Sequence, residues 1–134
     1  MDKMLSEWIS LASTDLDSAK ILSDSKKAVS SVSIYESHQA IEKALKAYLY
    51  YLGIPISKIH DLLKLATSIS AKDSWINKYI GQMQMIDSYY PRLRYPSGDT
   101  FTQAEAEKCY ILAKEVFQAI YERLSELSKA CNEE

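Results

Sequence analysis

Two arginines, Arg92 and Arg94, stand one residue apart in the stretch YYPRLRYP, residues 89–96. Tyr89, Tyr90, Tyr95, Pro91 and Pro96 surround them. Arginine grips phosphate through a planar fork of N–H donors, and a tyrosine ring offers a face on which a base can stack. The stretch therefore reads as an anion clamp with a stacking platform, or as a rigid loop that packs over the end of a core. A second candidate lies upstream. His38, Glu42 and Lys46 follow at steps of four, which a helix converts into a row climbing one face. Tyr35 falls at the edge of that face. A buried imidazole needs hydrogen-bond partners, and Glu42 is within geometric reach. The row reads either as a histidine bracing a core or as the wall of a pocket.

The remaining titratable residues point to little else. His60 and Asp61 are neighbours, expected in the first turn of a helix, where adjacent side chains project about 100° apart and form no automatic acid–base pair. Asp61 there is explained by the helix dipole. No His-x-x-x-His and no paired Glu-x-x-His motif supports a metal site. No glycine-rich phosphate loop or nucleophile motif is present either. The expectation is no metal and no cofactor. Cys109 and Cys131 are expected to be reduced thiols.

The elements that must position these residues are helical. In the first segment, Leu5, Trp8, Ile9, Ala12, Leu16 and Ala19 recur at steps of three and four, one stripe of an amphipathic helix ending near Ser23 to Ser25. A second helix is expected over about residues 27–52, with Ile34, Ile41, Leu45, Tyr48 and Leu52 on one face and Ala40, Ala44 and Ala47 alongside. Gly53 and Pro55 end it. Ser57 is the expected N-cap of a third helix. A fourth carries Trp75, Ile76, Tyr79, Ile80, Met83 and Ile86 and stops at Pro91, with Tyr90 and Tyr95 expected to be extended because each precedes a proline. PSGD, residues 96–99, reads as a turn. Thr102 and Glu105 fit a capping box opening a long last helix.

The chain has 134 residues, 47% of them hydrophobic, and a net charge of -2. That composition predicts one domain over residues 1–134. It gives no general basic character for non-specific nucleic-acid binding. No apolar run approaches the roughly 20 residues of a membrane span. With no signal-peptide pattern at the start, the expected location is the cytoplasm. The expected architecture is an all-α, antiparallel up-down four-helix bundle with a short additional helix.

The stretch SIYESHQAIEKALKAYLYYLGIPISKIHDLLKL, residues 33–65, resembles the HEPN family (higher eukaryotes and prokaryotes nucleotide-binding). ASTDLDSAKIL, residues 12–22, is similar to the family's first helix, and RYP, residues 94–96, to the segment before its last helix. The resemblance implies a compact helical domain, commonly a homodimer. It also implies pairing with a minimal nucleotidyltransferase in a toxin–antitoxin or related two-component module. Some relatives are metal-independent ribonucleases that use an arginine followed a few residues later by a histidine. Here both histidines precede the first arginine, Arg92, so those catalytic residues do not carry over.

The resulting expectation is a non-catalytic module that binds a nucleotide or RNA. Tyr35, His38, Glu42 and Lys46 would form one wall, and Arg92, Arg94 and Tyr95 would supply phosphate contact and stacking. The alternatives are a ribonuclease using His38 or His60 as acid–base, and a purely structural dimeric adaptor.

Overall fold

The structure, a computed structural model, describes residues 1–56, 58–94 and 100–133. Six α-helices are described: α1 (Lys3–Ser23), α2 (Ser30–Tyr51), α3 (Leu62–Ser70), α4 (Ile80–Asp87), α5 (Tyr90–Arg94) and α6 (Gln103–Glu133). A 3-10 helix, Ser74–Tyr79, leads into α4. The fold is all-α, with no strand among the described residues.

Helix α2 is the centre. It packs against α1, α3, α4, α5 and α6, and twelve of its residues are buried. The small strip Ala40, Ala44 and Ala47 is wholly buried, as are Ala12 and Ala19 of α1. Side chains this short bring no rotamer cost and let backbones approach closely. Around them Leu5, Ile41, Leu45, Leu65, Ile69, Ile76, Met83, Val116, Ile120 and Leu124 close the main core. A second, smaller cluster of Ile34, Tyr89, Ala106 and Cys109 closes the end nearest α5, with Leu93 and Phe101 packed on it. Burial pushes the Cys109 thiol up to about 11, so it is an inert packing group.

Two helix ends form as the sequence predicts. At the end of α2, Gly53 takes φ 71°. This left-handed turn lets the Ile54 N–H reach the Leu49 carbonyl (2.9 Å) and the Gly53 N–H reach that of Tyr50 (3.1 Å), satisfying carbonyls the helix leaves open. At the start of α6, the Thr102 hydroxyl accepts from the Glu105 N–H, and Glu105 accepts from the Thr102 N–H, both at 3.1 Å.

Other boundaries differ. The third helix begins at Leu62 with Asp61 as its N-cap, so His60 and Asp61 precede the helix. Asp61 accepts from the Leu63 and Lys64 N–H groups at 3.0 and 3.2 Å. The expected cap, Ser57, lies outside the described residues. The later start has a tertiary cause: Asp87 of α4 also accepts from the Leu62 and Leu63 N–H groups, at 3.1 and 3.3 Å. The expected fourth helix splits into the 3-10 segment and α4. Tyr90 is not extended; it opens α5, with Pro91 second. A proline in a first turn lacks only an N–H that would have had no helical partner. The turn expected at residues 96–99 lies outside the described residues.

Candidate functional site

The polar row on α2 is completed from other elements. His38 is fully buried, and its Nε2 lies 3.0 Å from Asp87 Oδ1. Burial acts to raise the Asp87 pKa, but the hydrogen bonds from His38 and from the Leu62 and Leu63 N–H groups outweigh it and lower it. An ionised acceptor makes Nε2 the donor and leaves Nδ1 of a neutral ring as a bare acceptor. That Nδ1 is buried without a hydrogen-bond partner. An unsatisfied buried acceptor costs about 1–3 kcal/mol.

One turn further along α2, Glu42 is buried. Its Oε1 lies 2.9 Å from His60 Nδ1, and its Oε2 accepts from Lys46 Nζ at 3.3 Å. The His60 side chain is 43% exposed, against 0% for His38. Tyr90 of α5 meets both imidazoles. Its ring stacks on His38 with centroids 4.3 Å apart and planes at 25°, and on His60 at 6.0 Å and 24°. Tyr35 lies close enough to feel the same groups. Its pKa is raised first by burial and then by Tyr90, Glu36 and Glu42.

A groove of about 420 Å³ adjoins the stack, lined by Asp61, Leu63, Gln84, Asp87, Ser88, Tyr90 and Pro91. The ring of Tyr90 gives it one aromatic surface, and Asp61, Gln84, Asp87 and Ser88 give it hydrogen-bonding groups. Such a mix of a flat apolar surface and a few polar groups suits a small planar ligand. A larger groove of about 520 Å³ runs between α1 and α6, lined by Ser6, Ser10, Ser13, Thr14, Phe117 and Tyr121 among others. It has no carboxylate, imidazole or basic side chain in its lining. Among the described residues no group of His, Cys, Asp and Glu could hold a metal ion.

The sequence-predicted residues are thus only partly gathered. His38, Glu42 and Lys46 share the site, with Tyr35 at its edge. Arg92 instead lies over the rings of Tyr89 and Phe101, 5.1 Å from each centroid. The Arg94 side chain and Tyr95 lie outside the described residues. His60, Asp87 and Tyr90 complete the cluster; of these the sequence reading names His60 alone as a site residue, in the ribonuclease alternative. His60 was visible beside Asp61, and Tyr90 in the aromatic stretch. Nothing local to Asp87 marked it as the partner of His38.

A second polar network lies along α2. The hydroxyl of fully buried Tyr48 donates to Asp73 Oδ2. Arg123 of α6 meets the same carboxylate through Nε at 3.2 Å and Nη2 at 3.1 Å. The Trp75 N–H donates to Asp73 Oδ1 at 3.2 Å, and the Arg123 guanidinium lies 5.7 Å from the Trp75 ring centroid. Burial raises the Tyr48 pKa, and the bond to Asp73 raises it further. Tyr48, Asp73 and Arg123 each have a hydrogen-bond partner within the network, as expected of a structural brace.

The HEPN domain model matches residues 5–124. A protein of Methanocaldococcus jannaschii, MJ1304, named as a candidate toxin, is 30% identical over 89% of this chain and 87% of its own. The crystal structure of ST0689, an archaeal HEPN homologue, superposes with a TM-score of 0.69 at 21% identity, covering 92% of this chain and 98% of that one. At that identity the likeness speaks to the fold.

Proposed function

This chain belongs to the HEPN family, and from that premise we propose that it is a non-catalytic binding module for a nucleotide. The binding place is the groove beside Tyr90, together with His60, which stacks on the same ring, and the Glu42 and Lys46 side chains joined to it. The observation that carries the reading is the aromatic stack of His38, Tyr90 and His60 beside a groove edged with hydrogen-bonding groups. Base stacking on aromatic rings is worth about 1–3 kcal/mol per base. Two carboxylates, Asp61 and Asp87, already occupy the N-terminus of α3. A phosphate is therefore poorly served there, and the base edge, with its N–H donors, is the better match. The phosphates would then point toward Lys46.

In this reading the module works as a homodimer in the cytoplasm, in a toxin–antitoxin-like pair with a minimal nucleotidyltransferase. The likeness to a protein named as a candidate toxin supports that setting. Isothermal titration with ATP, GTP, CTP and UTP tests the binding claim. Saturable binding that weakens at least about tenfold, the loss of one stacking contact, in His60→Ala is the expected result. Absence of heat with all four at millimolar concentration would overturn it.

One observation favours a second reading. Each histidine is held by its own carboxylate, the support that general acid–base catalysis uses. A ribonuclease built on His38 and His60 predicts metal-independent cleavage of structured RNA that disappears in His60→Ala while the fold persists. No cleavage by the parent chain, with and without a nucleotidyltransferase partner, would remove this reading.

A further inference from the structure

The groove between α3 and α4 is richer in hydrogen-bond acceptors than in donors. We infer that the base it selects is guanine, read by Asp61 at the 2-amino group, by Asp87 at N1–H and by Gln84 at O6. The inference rests on the nucleotide reading above and adds the identity of the base.

The lining sets the terms. Leu63 and Pro91 give apolar surface beside Tyr90, and Asp61, Gln84, Asp87 and Ser88 give the polar groups. A volume of about 420 Å³ is of the size that takes a small planar ligand. The polar groups are unequal in kind. An ionised carboxylate only accepts, whereas the Gln84 amide both donates and accepts. Ser88 already spends its hydroxyl proton on the Met85 carbonyl, at 2.6 Å.

The two carboxylates are only partly used by the fold. Asp61 caps α3 through Oδ1, which accepts from the Leu63 and Lys64 N–H groups. Its Oδ2 takes no part in that cap. Asp87 commits Oδ1 to His38 and to the Leu62 N–H, while Oδ2 holds the longer bond to the Leu63 N–H, at 3.3 Å. The Asp61 and Asp87 side chains also lie within hydrogen-bonding reach of each other. Two acceptors this close disfavour each other's charge. A ligand that brings adjacent N–H donors relieves that repulsion.

Only one of the four bases has such an edge. Guanine carries its N1–H and its 2-amino group side by side, with O6 next to them as an acceptor. Adenine and cytosine set a ring-nitrogen acceptor beside their amino group, and uracil sets a carbonyl on each side of its single N–H. Each of these three would turn a lone pair toward a carboxylate. Guanine instead meets the carboxylates with two donors and leaves O6 for the Gln84 amide.

Isothermal titration with GTP, ITP, ATP, CTP and UTP tests this, because the base of ITP is guanine without its 2-amino group. The parent chain is expected to bind GTP at least about tenfold tighter than ATP, CTP or UTP. ITP is expected to bind about tenfold weaker than GTP, the loss of one hydrogen bond to a charged group. Asp61→Asn keeps an oxygen to cap α3, and asparagine caps a helix as well as aspartate, so the fold should survive. In that variant GTP should lose its advantage over ITP. ATP, CTP or UTP binding as tightly as GTP would overturn the inference and leave the nucleotide reading standing. Equal affinity of the parent for GTP and ITP, or a GTP advantage kept in Asp61→Asn, would also overturn it. If none of the nucleotides binds, the nucleotide reading itself falls and takes the guanine assignment with it.

Discussion

The two polar networks around α2 are built from similar parts, a buried α2 side chain bound to an aspartate from another element. In the Tyr48–Asp73–Arg123 network the carboxylate is met by a hydroxyl, a guanidinium and a backbone N–H. In the His38–Asp87 network the carboxylate is equally well met, but the imidazole has one nitrogen left over. The first is locked between α2, the 3-10 segment and α6. The second is closed on one side by a short helix and opens onto a groove. A satisfied network stabilises; an incompletely satisfied one beside a groove is where a protein gives up stability for binding.

The sharpest way to break this contrast is Asp73→Ala. It strands the Tyr48 hydroxyl and the Arg123 guanidinium and removes a cap, so a loss of about 3 kcal/mol is expected, read from urea unfolding. Asp87→Ala removes the partner of His38 and one of two carboxylates at α3, but Asp61 still caps that helix; about 2 kcal/mol is expected. If Asp87→Ala proved the more costly by a clear margin, the second network would be the main brace and the contrast would fail.

Acid provides a smaller, separate readout. Burial tends to raise the Asp73 pKa, but bonds from Tyr48, Trp75 and Arg123 lower it overall, and Asp87 is lowered in the same way. Each carboxylate titrates lower in the folded chain than in the unfolded one. Its stabilisation is therefore fully present above about pH 4, the unfolded-chain value, and is lost as pH falls through the folded value. Asp73→Asn and Asp87→Asn should each flatten the fall in urea midpoint as pH drops below about 4. A parent-like acid profile in both would contradict the assigned ionisation.

How much of this was legible in the sequence follows from separation along the chain. Gly53 and the Thr102–Glu105 pair carry their meaning within a few residues, and both helix ends form as read. The row His38, Glu42 and Lys46 was visible because helical periodicity places it. Its partners His60 and Asp87 come from the segment before α3 and from α4, and no local pattern couples them to α2. The start of α3 differs from the expected cap at Ser57 for the same reason: the backbone is set at Asp61 and by Asp87 from α4. The rule for residues before proline predicts an extended Tyr90. That preference is modest, and the stack on His38 gives the side chain a reason to sit at the head of α5. The arginines drew attention by type and spacing, yet Arg92 packs on Tyr89 and Phe101.

The central claim, that the incompletely satisfied network is the binding place, is tested most directly by following the two imidazoles by NMR during titration of the parent chain with nucleotide. The account predicts that the His60 and His38 ring signals both shift and saturate together with the nucleotide that binds. Binding that leaves both signals unmoved would place the site elsewhere and contradict it.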